Sequence, residues 1–246
     1  MNNMSSFAEP VIVYADPPDN QVPWLEIYQE SGGGGRIIPA ARPPAESQEG
    51  ILFDKNIGLP ELIENLPIAA ALEGLSRLAC RLGESILITG SSFWSRAFIA
   101  AASRISLFPI LWVCSRKDSD MFENGPLAGC RMFRYQPSRT VDEIKRLTGN
   151  AGCRLVIETT AERAFLNLAL GAAGIRSRVG LVGSTPGDIP LNLHNTVHFK
   201  DLSVRGLWGE TPPFSLLKNA FERGALSLTL KDRTGSQSHR AADSSE

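Results

Sequence analysis

From Leu59 onward the chain alternates between short continuous apolar runs and longer stretches whose apolar residues recur at helical spacing. The apolar runs predict strands at Ser85–Thr89, Ile110–Val113, Cys130–Tyr135, Leu155–Glu158, Arg178–Val182 and Leu202–Leu207. The second of these begins after Pro109, which has no N–H to offer a ladder. Helices are expected between them. Pro60 opens a short one, Ile68–Leu82 forms a second closed by Gly83, and an alanine-rich one runs to about Ser103. Thr140 with Glu143, and Thr159 with Glu162, carry the spacing of capping boxes. Thr211, Pro212 and Pro213 open a last helix reaching about Gly224.

Short strands buried on both faces and alternating with helices are the pattern of a parallel sheet covered on both sides. The fold class read from this order is α/β, a Rossmann-like doubly wound parallel sheet of about six strands. Residues 1–58 break the rhythm. VIVYA at 11–15 and PWLEIYQ at 23–29 predict strands, while SGGGG at 31–35 and ARPPAESQEG at 41–50 are turn or linker material. This segment is expected to be a small antiparallel β lobe or remnant. Residues 59–231 are expected to form the Rossmann-like domain, and the polar stretch 232–246 a flexible tail.

Composition narrows the function classes. The 246 residues are 43% hydrophobic and carry a formal charge of −1, with acids and bases interspersed, so neither a nucleic-acid groove nor a polybasic membrane surface is implied. No run approaches the ~18 apolar residues of a transmembrane helix, and no basic n-region leads into an apolar signal core. Cys80, Cys114, Cys130 and Cys153 lie far apart without C-x-x-C spacing, as expected of reduced, buried thiols in a cytoplasmic protein.

The chemistry concentrates in SILITGSSFWSRAFIAAAS, residues 85–103, where an apolar strand meets one glycine, a polar turn and a helix. That order presents a helix N-terminus to a dinucleotide pyrophosphate. Gly90 occupies the first glycine of a G-x-G-x-x-G pattern, and Ser92 and Ser95 occupy the other two. Gly90 suits the tight turn, Ser92 adds a side chain and a hydroxyl where phosphate approaches, and Ser95 is small enough for helix packing. Phe93 and Trp94 are bulky for such a loop. Three readings stay open: a phosphate or dinucleotide site, a plain strand-to-helix connection, or a cleft converted to another ligand. At the end of the second strand, Cys114 and Ser115 stand where NAD-binding proteins keep an acid, and Arg116 and Lys117 follow. Loss of the acid and gain of two cations favour a ribose 2′-phosphate, hence NADP(H), unless the cations belong to a solvated loop.

These blocks, over residues 57–228, resemble the medium-chain dehydrogenase/reductase superfamily, the zinc-type alcohol dehydrogenases with their zinc-free quinone and enoyl reductase relatives. The likeness runs from GLPELIENLPIAAALEGLSRLACRLGESILITG through CRLVIETT and AERAFLNLALGAAGIRSRVGLVGSTPGDIPLNL to KDLSVRGLWG. It implies that Gly90, Ser92 and Ser95 form the phosphate turn and that Ser115 and Arg116 match NADP-using variants. It implies further that Thr159 and Thr160 lie beside the nicotinamide half, and that Val182, Gly183 and Ser184 meet its carboxamide. Leu207, Trp208 and Gly209 would end the sixth strand near a cleft or dimer edge. The early cysteine and Gly-His-Glu segment that hold catalytic zinc have no counterpart, nor do the four cysteines of the structural zinc lobe, and no re-entering segment follows Leu230. The expectation is a protein without zinc, its catalytic domain strongly reduced.

Other candidates read as structure. His194 and His198 lie four apart after Pro190 with no third ligand nearby, and His239 is in the tail. Tyr14, Tyr28 and Tyr135 lack a relay partner, Trp24, Trp94, Trp112 and Trp208 read as packing, and Glu158 sits at a strand end. No catalytic residue stands out. Three functions follow: a zinc-independent NADP(H)-dependent oxidoreductase acting on a small molecule, a non-catalytic dehydrogenase-like binding or assembly protein, or a non-redox cyclase or isomerase in the former cofactor cleft. A homodimer joined through the edge of the last strand is expected.

Overall fold

The computed structural model describes residues 12–15, 23–29, 35–39, 51–53, 59–115, 129–160, 162–183 and 194–207. The predicted helix at 211–224, the tail, Arg116, Lys117, Ser184, Trp208, Gly209 and His239 lie outside the described residues, as do the side chains of Phe93, Tyr14, Tyr28 and Trp24. The chain divides into two compact units, residues 1–70 with 209–246, and residues 71–208.

In the first unit, β1 (Ile12–Ala15), β2 (Pro23–Gln29), β3 (Gly35–Pro39) and β4 (Ile51–Phe53) form one antiparallel sheet in chain order. Leu25 faces Pro39, and Arg36 faces Leu52. The glycine run lies between β2 and β3, its last glycine opening β3. The three-residue β4 is too short for alternation to reveal it.

The second unit holds a six-stranded sheet of β5 (Ile86–Thr89), β6 (Ile110–Cys114), β7 (Cys130–Arg134), β8 (Cys153–Glu158), β9 (Ala173–Leu181) and β10 (Ser203–Gly206). Its order is β10-β9-β8-β5-β6-β7, and every pairing is parallel. The helices are α1 (Leu59–Arg77), α2 (Phe93–Arg104), α3 (Thr140–Leu147) and α4 (Arg163–Ala172). On one face Leu87, Leu111, Val113 and Val156 share a core with Ile144 of α3 and Phe165, Leu168 and Ala169 of α4. On the other, Ile86, Ile88, Ile110, Leu155 and Ile157 are equally buried. Gly180 on that face lies against Leu78 and Leu207, and Gly74 of α1 lies against Phe98 of α2. Burial on both faces is why β5, β6 and the Leu155–Ile157 part of β8 read as apolar runs.

Several local expectations are corrected. The two helices predicted around Pro60 and Ile68–Leu82 are one, with Pro67 inside it. Pro67 leaves the carbonyl four residues earlier without its helical N–H, but the buried Leu66, Ala69, Ala70, Ala71 and Leu75 favour continuation. The helix stops at Arg77 because Ala79 turns left-handed at φ 49° and the Cys80 N–H reaches back to Leu75 O. Neither capping box forms. Thr140 is already helical, and its Oγ1 accepts the Gln136 N–H at 2.8 Å. Glu162, not Thr159, precedes α4, and makes no side-chain cap.

The amino-terminal rim of the sheet is tightly fastened. Arg178 donates to Ala79 O and to Glu84 Oε2, each at 2.5 Å, with both charged side chains largely shielded from water. The helix predicted to end near Gly174 ends at Ala172, and β9 begins at the next residue. Lys200 Nζ donates to Leu170 O, Gly171 O and Ala173 O at 2.7–3.0 Å, clasping this joint with a cation at a helix C-terminus. Burial, with Lys145 nearby, lowers the Lys200 pKa from its ordinary value.

Candidate functional site

The strand order reverses direction at β5, whose parallel neighbours β6 and β8 are reached by crossovers to opposite sides. In open α/β sheets such a switch point, at the carboxyl ends of the strands, is where ligands bind. At that end of β5 the chain turns at Gly90 with φ +103°, a conformation L side chains rarely adopt. Helix α2 follows from Ser92, which gives its first turn no side-chain hydrogen bond.

Thr159, just past β8, ties this turn together. Its hydroxyl donates to Thr89 O at 2.6 Å. With its one proton so used, Thr159 Oγ1 accepts from Ser95 Oγ at 2.8 Å and Ser92 Oγ at 3.3 Å. The Ser92 hydroxyl is thus taken up by protein, and Ser95 is fully buried. The fit is also steric. A Cβ at Gly90 would stand 2.5 Å from Thr160 Cγ2 and closer still to Thr159 Oγ1. Thr160 is held in turn by Glu158, whose Oε1 accepts its N–H at 2.7 Å and its hydroxyl at 2.5 Å. Thr160 Oγ1 then accepts the Glu162 N–H at 2.9 Å, fixing the entry to α4.

Five of the predicted residues, Gly90, Ser92, Ser95, Thr159 and Thr160, therefore meet at one point. Ser115, half-buried, follows β6, where Cys114 pairs with Arg134. Gly183 follows β9, and the neighbouring Val182 N–H donates to Glu158 O at 2.8 Å. Both lie on the same carboxyl-terminal rim of the sheet, beyond the strands that flank the Gly90 cluster.

Two residues acquire roles that sequence reasoning did not assign. Glu158, 2% exposed, is a clasp for the loop after β8. Trp112, read as packing, donates its indole N–H to Gly90 O at 2.6 Å. The signal for Trp112 is the register that sets it beside Ile88, two residues before Gly90, which only strand pairing reveals. Trp94 is buried, and the Tyr135 ring packs 5.0 Å from that of Phe165. His194 and His198 stack in a π-helical turn with ring centroids 5.3 Å apart. Among the described residues no three His, Cys, Asp or Glu side chains gather as a metal site, and no helix is long and apolar enough to cross a membrane.

No family profile matches the chain, and no curated protein matches it. Solved structures do. Alcohol dehydrogenase TADH from Thermus sp. ATN1 superposes with a TM-score of 0.59 at 20% identity, over 80% of this chain and 53% of its own. Galactitol-1-phosphate dehydrogenase from Escherichia coli gives 0.60 at 15% identity, over 83% and 59%. The quinone oxidoreductase from Thermus thermophilus, solved also with NADPH, gives 0.57 at 16% identity, over 81% and 66%. The chain spans about half the length of the alcohol dehydrogenase it matches. Its fold is an open, Rossmann-like parallel α/β sheet of the kind these structures contain. The likeness is one of fold, and it agrees with the resemblance read from the sequence.

Proposed function

We propose that the protein is a zinc-independent, cytoplasmic oxidoreductase that uses NADP(H) on a small-molecule substrate. The observation carrying this reading is the Gly90 turn at the switch point of the sheet, delivering the N-terminus of α2 to the rim where a pyrophosphate would lie. The residues fit the cofactor. Gly90 makes the tight turn, Ser95 packs under it, and Ser92, the departure of most consequence, directs its hydroxyl to Thr159. When bound, NADPH supplies the hydride. The chain's residues would hold it as follows: the α2 terminus at the pyrophosphate, Ser115, Arg116 and Lys117 at the ribose 2′-phosphate, and Thr159, Thr160 and Gly183 along the nicotinamide half. The likeness to a quinone oxidoreductase solved with NADPH supports the cofactor. The absence of the zinc-ligand segments from the sequence supports the zinc-free reading. The buried thiols of Cys114, Cys130 and Cys153, none of them in a disulfide, suit a reducing compartment. Strand β10, an outer strand of the described sheet with all four residues exposed, is the proposed seam of a homodimer.

Calorimetric titration tests the cofactor. NADPH is expected to bind more tightly than NADH, with much of the preference lost in Arg116→Ala. Equal affinities, or an NADH preference, refute the 2′-phosphate assignment. No binding of either at millimolar concentration refutes the oxidoreductase reading in favour of a non-catalytic binding protein or a non-redox cyclase or isomerase.

A further inference from the structure

We infer that Trp112 is a positioning residue for the phosphate turn. The inference rests on the nucleotide-binding reading above and concerns how the turn's donors are held before a ligand arrives.

Both backbone polar groups of Gly90 are committed to the β6 side. Its N–H donates to Val113 O at 2.8 Å, and its carbonyl accepts the Trp112 indole N–H at 2.6 Å. Gly90 is a residue whose backbone is otherwise free to rotate, and it sits at φ +103°. In a planar trans peptide the carbonyl and the following N–H point in opposite directions. Fixing the Gly90 carbonyl on the indole therefore aims the Ser91 N–H away from Trp112 and sets the course of the chain into Ser92 and α2. The indole itself cannot drift. It is 2% exposed, lies on a central strand, and belongs to the face that also buries Ile86, Ile88 and Ile157. From the other side, Thr159 Oγ1 and Thr160 Cγ2 fill the space that a side chain at Gly90 would need. The turn is gripped between a hydrogen bond on one flank and a steric wall on the other. Donors held in place in advance recognise an anion without an ordering cost at binding.

This arrangement also accounts for how two serines can stand in a glycine pattern. Glycines let the backbone approach phosphate but leave it mobile. Here the turn is stiffened by an indole from outside the motif and by a hydroxyl cluster in which Ser92 and Ser95, at two of its glycine positions, meet Thr159.

Trp112→Phe keeps an aromatic ring on the strand and removes the donor. Two probes separate positioning from general damage: NADPH, which spans the turn, and 2′-AMP, which carries the adenosine and 2′-phosphate but no pyrophosphate. The variant is expected to bind NADPH at least about tenfold more weakly and 2′-AMP within about twofold of wild type. Equal loss for both ligands, or no loss for NADPH, overturns the inference while leaving the nucleotide reading intact. Wild-type protein that binds neither ligand overturns that reading and the inference with it. A second measurement needs no variant. In proton–nitrogen spectra of the wild-type chain, the Trp112 indole N–H is expected to be protected from solvent exchange before NADPH is added, and the Ser91 and Ser92 amides to shift on addition. An indole proton that exchanges freely until ligand binds refutes a preset turn.

Discussion

Gly90→Ala tests whether the turn is as constrained as its geometry implies. Two penalties add at this position. Placing an L side chain at φ +103° costs about 1–3 kcal/mol in backbone strain. The new methyl would also stand 2.5 Å from Thr160 Cγ2 and closer to Thr159 Oγ1. Neither neighbour can retreat cheaply, because Thr159 is tied to Thr89, Ser92 and Ser95, and Thr160 to Glu158. Overpacking of this kind costs about 1–3 kcal/mol, so the sum is about 2–6 kcal/mol. Gly83→Ala provides the control. Gly83 has φ +76°, but nothing lies within 4 Å of its added Cβ, so only the backbone penalty applies. Urea denaturation of both variants, with the m-value checked for constancy, reads the difference. Gly90→Ala is expected to be more destabilised than Gly83→Ala by about 1–3 kcal/mol. Equal destabilisation would show that the loop after β8 yields without cost and that the grip on Gly90 is not real.

Stability is expected to fall in alkali. Burial pushes the thiols of Cys130 and Cys153 up to about 12, against an ordinary 9.0. The folded chain holds these protons where the unfolded chain releases them, so their contribution is complete below about pH 9 and is lost as pH rises toward 12. Urea midpoints from about pH 8 to 11 should decline above 9, and a flat profile would contradict the burial of both groups. If β10 joins two copies, light scattering at micromolar concentration should give twice the 26.7 kDa chain mass, and Val204→Lys, on the exposed edge, should return it to one.

What is legible in the sequence depends on how local its cause is. Strands β5, β6 and β8 announce themselves because both faces are buried and no polar residue interrupts ILIT or ILWV before its end. The Gly90 turn is equally readable, since a lone glycine between an apolar strand and an alanine-rich helix has few other uses. Helix boundaries are less so. Pro60 and Pro67 both look like starts, and only the burial of Leu66 and Ala69–Ala71 decides that the helix runs through the second. Thr140 and Thr159 have the right spacing for caps, but each hydroxyl is claimed by a different partner, Gln136 N–H for one and Thr89 O for the other. The parts of the site that escape, the Trp112 indole on Gly90 and the Glu158 clasp, depend on strand register and on a residue two positions away turning back. Neither leaves a trace in spacing.

The joint between α4 and β9 is tight on one side and slack on the other. No residue separates Ala172 from Ala173, and a Cβ on Gly152 would meet Gly174 N at 2.7 Å and Ala172 O at 2.8 Å. Just beyond, Ala173 pairs with Cys153 and Arg178 with Leu155, so four residues of β9 stand opposite Arg154 alone, with Arg176 left-handed at φ 56°. This bulge uncouples the helix from the register of the sheet. A residue gained or lost between Gly174 and Ser177 changes the size of the bulge and leaves Val179 opposite Val156, its side chain still in the core.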